Sequence, residues 1–119
     1  MTNLRNLFQQ HWDSVQLGDM DAITRDYADD AILIRPDRMF SGHSGCRAFF
    51  TELFEQLDGF AADQHSLTID KPVILLEWRA THTDGRTATG VDTFIVEHGK
   101  VTIQTLAFDI WSGAPSRDD

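Results

Sequence analysis

The sequence is poor in cysteine and in basic residues. Its 119 residues include one cysteine, Cys46, so no disulfide can form within the chain, and a reducing compartment such as the cytoplasm is the expected location. Lysine and arginine number 10 against 19 acidic residues, and the net charge is −9. A surface of that sign disfavours nucleic acids and anionic membranes as partners. The longest apolar runs, such as residues 73–76, are too short to span a bilayer.

The length and composition predict one folded domain. Hydrophobic residues make up 41% of the chain, and eight of them are phenylalanine, which is enough for a core without covalent cross-links. We expect the domain to cover residues 1–111 and a polar, flexible tail to cover 112–119. The first fifteen residues are amphipathic rather than continuously apolar, so no secretory signal is expected.

Helical periodicity dominates the first half of the chain. Apolar residues at positions 4, 7, 8, 12 and 15 share one face of a predicted helix with His11, and Gly18 is suited to end that helix. Asp19 is expected to cap a short second helix whose inner side includes Met20, Ile23 and Tyr27.

An acidic segment and a strand follow. Asp29 and Asp30 are predicted to form a turn and, with Asp26, a solvated acidic surface. Residues 31–35 read as a strand that ends in Arg35, directly before a turn at Pro36-Asp37.

A third helix is predicted from Ser44, its expected cap, to Gly59. Its apolar face includes Cys46, which we interpret as a buried structural thiol. After Gly59 the apolar period changes from 3.6 to 2, as is typical of strands. The predicted strands cover about 65–69, 73–82, 87–97 and 101–111, with hairpin turns at 83–86 and at His98-Gly99. Helices combined with an antiparallel meander indicate an α+β fold.

This order of elements resembles the NTF2-like superfamily, in its SnoaL-like and ketosteroid-isomerase-like branch. The motifs that match are GDMDAI at 18–23, YADDAIL at 27–33, Pro36, Gly42-His43 and the strand-turn-strand TGVDTFIVEHGKVTIQTLAF at 89–108. The resemblance covers nearly the whole chain. It implies a cone in which a strongly curved mixed or antiparallel sheet packs around three N-terminal helices, with an apolar pocket inside. It also implies a homodimer formed through the outer face of the sheet.

The resemblance implies three candidate catalytic positions. A tyrosine of the ketosteroid isomerases corresponds to His11, their general-base aspartate to Arg35, and their protonated aspartate to Asp92. Because a guanidinium cannot accept a proton, steroid isomerisation by that mechanism is not expected. We predict that Arg35 and Asp92 face one cavity, paired directly or bridged by ligand or water, since a buried cation needs an anion. Alternatively, Arg35 extends to the rim, His11 is a neutral core histidine and Asp92 lies in water at a strand edge.

Strand parity supplies further candidates. Positions 74, 76, 78, 80 and 82 share one face of their strand, and 104, 106, 108 and 110 share one face of the last strand. If these faces look inward, as the resemblance implies, the predicted ligand-binding residues are Tyr27, Phe50, Phe54, Trp78, Gln104 and Phe108. The alternative for most of the aromatic residues is ordinary core packing. Trp111 has the opposite parity and would belong to the dimer interface.

Two functional interpretations remain open at the level of sequence. The first is an isomerase, cyclase, lyase or hydrolase acting on a small apolar substrate with an oxyanion or carboxylate. In it His11 transfers protons, while Asp92 and Arg35 orient the substrate or stabilise charge. The second is a ligand-binding or dimeric interaction module without turnover. We expect no cofactor and no metal, since the five histidines lack the paired spacing of zinc sites.

Overall fold

A computed structural model describes residues 3–112, and three helices and six strands lie in that part of the chain. The helices are α1 (Leu4–Leu17), α2 (Met20–Arg25) and α3 (Gly42–Gln56). The strands are β1 (Tyr27–Arg35), β2 (Arg38–Ser41), β3 (Phe60–Asp70), β4 (Val73–His82), β5 (Arg86–Glu97) and β6 (Lys100–Ser112). The predicted α+β class is confirmed. The three helices do not form one continuous N-terminal group, because β1 and β2 separate α2 from α3.

The end of α1 and the start of α2 follow their predicted signals, whereas the end of α2 does not. The side chain of Asn3 accepts hydrogen bonds from two backbone N–H groups of the first turn of α1. Gly18 ends this helix with φ 67°, a left-handed conformation that glycine adopts without strain. Asp19 caps α2 by accepting from the backbone N–H of Ala22. Tyr27 does not extend α2, since it is the first residue of β1.

The predicted turn at Asp29 and Asp30 is wrong. Both residues lie within β1 and are exposed. The pairing of β1 with β6 shifts register between Tyr27 and Ile32, and this irregularity lets two neighbouring carboxylates remain in solvent inside a strand.

The boundaries of α3 also differ from the prediction. The helix starts at Gly42 rather than at Ser44, because β2 leads directly into it through Ser41, which occupies the N-cap position in an extended conformation. It ends at Gln56, before Gly59, which lies in the turn that leads to β3 with φ 81°.

The six strands form one mixed sheet in the order β2-β1-β6-β5-β4-β3. The pairing of β1 with β6 is parallel, and the other four pairings are antiparallel. The predicted hairpin turn between β4 and β5 is confirmed: the backbone N–H of Gly85 donates to the carbonyl of His82 at 2.9 Å. Among the described residues, no helix is long and apolar enough to cross a membrane.

The two faces of the sheet differ in burial. On β4, the predicted inner residues Ile74, Leu76, Trp78 and Ala80 are buried, and the residues between them are exposed. α1 and α3 cover this inner face with Phe8, Phe49, Phe50 and Leu53. On β6, Gln104 and Leu106 are buried, whereas Ile110 near the strand end is exposed. Of the predicted tail, Ser112 ends β6, and 113–119 lie outside the described residues.

Candidate functional site

A cavity of about 260 Å³ lies between the helices and the inner face of the sheet. Residues of α1, α3 and β3 to β6 line it, and most of them are apolar or aromatic. The lining residues with hydrogen-bonding or charged side chains are His11, Trp12, Gln16, Asp58, Trp78, Asp92 and Gln104. An apolar hollow with a few convergent polar groups is typical of small-molecule sites.

α1 places His11 in the wall of this cavity. The apolar stripe of the helix faces the core, so position 11 is directed inward together with Phe8. The His11 residue is 4% exposed. Its ring centroid lies 5.5 Å from that of Phe94 and 5.9 Å from that of Phe50. The imidazole therefore has an aromatic environment and few groups that can accept or donate a proton.

β5 places Asp92 on the inner face of the sheet, opposite Leu76 of β4 and Leu106 of β6. The Asp92 residue is 5% exposed and lines the cavity. The Nε1–H of Trp78 donates to Oδ1 at 2.7 Å, and Nε2 of Gln104 donates to Oδ2 at 2.8 Å. Each carboxyl oxygen thus has one protein donor, in an otherwise hydrophobic layer.

The pKa of Asp92 is raised from 3.8 to about 7. Burial is the main cause, since removing a carboxylate from water disfavours its charged form. The hydrogen bonds from Gln104 and Trp78 oppose this effect, as does the positive charge of Arg35, and they lower the pKa in part. Asp92 consequently populates both its neutral and its ionised forms near neutral pH.

Gly90 makes room for the indole of Trp78. The two residues are partners in the β4–β5 pairing. A Cβ at position 90 would lie 2.7 Å from Nε1 of Trp78 and would overlap the six-membered ring. Gly90 does not have a positive φ, so the glycine is needed for space rather than for backbone freedom. Glycine inside a strand often marks such a close approach, so Gly90 is a signal in the sequence for this contact.

A chain of hydrogen-bonding groups joins Asp92 to His11. The Oε1 of Gln104 accepts from the hydroxyl of Tyr27, while the Nε2 of the same amide donates to Asp92. The Tyr27 hydroxyl also lies 3.5 Å from Nε2 of His11. Burial raises the pKa of Tyr27 well above its usual value, so its hydroxyl keeps its proton.

The chain ends at Asp26. Nδ1 of His11 lies 3.7 Å from Oδ2 of Asp26, and within residues 3–112 neither atom has a hydrogen-bond partner. The other carboxyl oxygen of Asp26 accepts from Nε2 of Gln10 at 3.3 Å. Asp26 is 6% exposed, so its predicted place in a solvated acidic surface is wrong. The sequence pattern could not show this, because the burial arises from the packing of α1 against the start of β1.

The prediction that Arg35 and Asp92 face one cavity is wrong, and the alternative of Arg35 outside it agrees with the structure. Nη1 of Arg35 lies 3.0 Å from Oε1 of Glu52 and donates to Gln56 at 2.7 Å; both partners lie on α3. Its guanidinium also lies 5.1 Å from the ring centroid of Phe108, within range of a cation–π interaction. Arg35 follows buried Leu33 on the same strand face, but it lies beyond the core, where a carboxylate of α3 is accessible. It lines a separate depression of the surface rather than the cavity.

The predicted ligand-binding residues divide into three groups. Phe50, Phe54, Trp78 and Gln104 line the cavity. Tyr27 is not among the lining residues; it is buried behind them, in contact with Gln104 and His11. Phe108 lines the same surface depression as Arg35.

The prediction did not single out the part of the wall formed by Asp58, Gly59 and Phe60, between α3 and β3. These residues fall at the change from helical to strand periodicity, where neither pattern assigns a face.

Cys46 is buried, as predicted, and burial raises the pKa of its thiol to about 12. Within residues 3–112, no group of three or more His, Cys, Asp or Glu side chains is arranged to hold a metal ion.

Comparison with known proteins places this geometry in a family. The profile of the SnoaL-like domain matches residues 8–104. A search of curated proteins gave no match.

Many solved structures share the fold. An NTF2-like protein of unknown function from Burkholderia xenovorans is 26% identical, with a TM-score of 0.74, and the alignment covers 93% of this chain and 86% of that one. A candidate ketosteroid isomerase from Kribbella flavida is 19% identical, with a TM-score of 0.76 and coverage of 96% and 84%. A candidate polyketide cyclase from Sinorhizobium meliloti is 16% identical, with a TM-score of 0.75 and coverage of 86% and 94%.

Proposed function

Because this chain belongs to the SnoaL-like branch of the NTF2-like superfamily, we propose that its cavity binds a small, neutral, largely apolar molecule with a ketone or hydroxyl oxygen, and that Asp92 exchanges a proton with it. The observation that carries this proposal is a buried carboxyl group in the wall of an apolar cavity, with a pKa of about 7. A general acid or base works best when its pKa lies near the operating pH.

The surroundings of Asp92 leave capacity for a ligand. A carboxyl group offers about four acceptor positions, and Trp78 and Gln104 use two of them. The carboxylate form can accept a proton from a carbon next to a ketone, and the neutral form can return a proton to that molecule. One group that gives and takes a proton suffices for proton exchange and for simple isomerisation.

The charge of the lining favours a neutral ligand over the carboxylate or oxyanion that the sequence suggested. Asp58 and Asp92 both contribute to the wall, and no lysine or arginine of residues 3–112 does. An anionic ligand would meet two acidic groups without a fixed cation to balance it. The volume of about 260 Å³ is below the range of roughly 300–1,000 Å³ found for drug-sized ligands, so the ligand is small.

His11 and Arg35 have indirect roles in this proposal. His11 lies in the cavity wall, but its two ring nitrogens face Tyr27 and Asp26, so they are linked to Asp92 through Tyr27 and Gln104. Arg35 contributes to the surface next to α3 and to the electrostatic potential at Asp92.

Deuterium exchange into simple ketones tests the proposal without knowledge of the natural substrate. The protein is incubated in D₂O with cyclohexanone, acetophenone and α-tetralone, and deuterium at the carbon next to the carbonyl is followed by mass spectrometry. We expect catalysed exchange by the wild type. Asp92→Asn should abolish it, and Leu53→Trp, which fills the cavity, should reduce it. Asp63→Asn, at an exposed carboxyl of β3, is the matched control and should have no effect.

Two outcomes would contradict proton exchange at Asp92. Equal exchange in the wild type and in Asp92→Asn would assign the reaction to another group. Ketones that change the tryptophan fluorescence of the protein but acquire no deuterium would indicate a binding module without turnover, which is the alternative interpretation of the sequence.

We further propose a homodimer formed through the outer face of the sheet. This is supported by the apolar residues exposed there, Leu75 of β4, Val91 of β5 and Trp111 of β6. Exposed apolar side chains grouped on one face are typical of interaction sites. The mass in solution by light scattering should be twice that of the chain, and Val91→Glu should yield a monomer. A monomeric wild type would reject the dimer.

We also propose a single domain over residues 1–111, a cone shape in which the sheet wraps around the helices, and a location in the cytoplasm. The cavity between helices and sheet supports the cone, and the single reduced thiol of Cys46 supports the location.

A further inference from the structure

Two groups that can each reverse direction stand between Asp92 and His11. The amide of Gln104 can present its NH₂ to Asp92 and its oxygen to Tyr27, or the reverse. The hydroxyl of Tyr27 has one proton, which it donates either to Gln104 or to His11. The direction chosen by one group therefore restricts the direction of the next.

An ionised Asp92 fixes the direction of the hydrogen bonds along the chain from Asp92 to His11. A carboxylate only accepts, so Gln104 must turn its NH₂ to Asp92, as it does in the structure. The oxygen of Gln104 then takes the proton of Tyr27, and the Tyr27 oxygen is left to accept from Nε2 of His11. Nδ1 lies 3.7 Å from Oδ2 of Asp26, beyond hydrogen-bond distance, and an imidazole with protons on both nitrogens forms an ion pair across that gap. An ionised Asp92 thus favours a positively charged His11.

A neutral Asp92 allows the hydrogen bonds of the chain to run in the opposite direction. Its hydroxyl can donate to the oxygen of Gln104, whose NH₂ then faces the oxygen of Tyr27. Tyr27 donates to Nε2 of His11, and a neutral imidazole with its proton on Nδ1 completes the contact with Asp26. Both arrangements contain the same number of protons, and they differ in whether Asp92 or His11 holds the last one.

We propose that Gln104 and Tyr27 are positioning residues that couple the charge of Asp92 to the tautomer of His11, which suits the site to a ligand oxygen that alternates between ketone and enol. This inference rests on the proposed function, because it requires Asp92 to face the ligand. The carboxylate takes the proton from the carbon next to the ketone, and the neutral acid so formed returns it to the enolate oxygen, which yields the enol and restores the carboxylate. His11 compensates for each change at the other end of the hydrogen-bond chain.

Other charged and titratable groups face the chain from the neighbouring elements. Arg35 acts on Asp92 from β1, Asp58 faces the cavity from the end of α3, and Cys46 of α3 lies near Tyr27 with a pKa of about 12, so its thiol is neutral. Their effects act through space and do not depend on the direction of the Gln104 amide. Cutting the hydrogen-bond chain at Gln104 therefore separates the two kinds of coupling.

The test uses the ligand-free protein with ¹⁵N-labelled histidine, in which the shifts of the ring nitrogens report tautomer and charge. The signals of His11 are assigned by their loss in His11→Gln. In the wild type, they should change as Asp92 titrates. Asp92→Asn supplies a permanent donor and cannot ionise, so it should hold His11 neutral with its proton on Nδ1. In a Gln104→Met background, Asp92→Asn should leave the His11 signals unchanged.

The same change of His11 in both backgrounds would show through-space coupling and overturn the proposal, and so would no change in either. If Gln104→Met does not fold, Tyr27→Phe breaks the chain while keeping the aromatic ring. The histidine signals are measured without ligand. If Asp92→Asn changes them only when Gln104 is present, but the protein catalyses no deuterium exchange, the ketone–enol assignment alone is rejected. If the effect of Asp92→Asn on His11 does not depend on Gln104, but deuterium exchange is catalysed, the coupling is rejected and Asp92 remains the proton-exchanging group.

Discussion

Asp92 makes the stability of the protein depend on pH in a direction opposite to that of most aspartates. Its pKa is 3.8 when unperturbed and about 7 in the folded state. Below about pH 4 both states are protonated, and the group contributes nothing. As the pH rises toward 7, the unfolded chain loses the proton and the folded one keeps it, so stability falls. At about 1.4 kcal/mol per pH unit, the penalty reaches about 4 kcal/mol above pH 7.

Asp92→Asn removes this penalty, so the variant should gain stability relative to the wild type as the pH rises. The altered hydrogen bonds to Trp78 and Gln104 also change the free energy of unfolding, but by the same amount at every pH. Comparing the two proteins across pH therefore removes this contribution. Urea unfolding between pH 4 and pH 8 should show the difference in free energy of unfolding increasing by up to about 4 kcal/mol in favour of the variant. Asp63→Asn, at an exposed site, is the control. A difference that is constant with pH would refute a neutral, buried Asp92.

Three further results are expected. Gly90→Ala should lower the free energy of unfolding by about 1–3 kcal/mol, because its Cβ overlaps the Trp78 indole. In a double-mutant cycle, Trp78→Leu should relieve most of that cost, and an equal cost in both backgrounds would contradict the overlap. Cys46, which is buried and has a raised pKa, should react with a thiol reagent only in the presence of urea, and rapid reaction of the native protein would contradict its burial. Arg35→Met should retain deuterium exchange into ketones but shift its pH dependence to higher pH, because the Arg35 charge lowers the pKa of Asp92, whereas abolished exchange would indicate that Arg35 contacts the ligand.

Features that depend on neighbours in the sequence were predictable. The end of α1 at Gly18 and the capping of α2 by Asp19 follow from the conformations and hydrogen bonds of single residues. The inner face of β4 follows from strand parity together with the inward orientation that the family resemblance implies. The inward position of His11 follows from the helical period of α1.

Features that depend on distant partners were not predictable. Arg35 has the parity of a core residue, but its choice of Glu52 over Asp92 depends on how far α3 extends past the end of β1. Asp26 looks like one of several solvated acidic residues until α1 packs over it. The link from Gln104 to Tyr27 joins residues 77 positions apart, and no local pattern in one sequence indicates such a contact.

Direct titration of the Asp92 carboxyl tests whether this group is buried and neutral in the folded protein. The ¹³Cγ shift of Asp92, assigned by its loss in Asp92→Asn, is followed against pH in the ligand-free protein. A midpoint of about 7 is predicted, because the carboxyl is buried in the wall of an apolar cavity. A midpoint near 3.8 would show a solvated carboxylate and would contradict both the buried site and the proton exchange proposed for it.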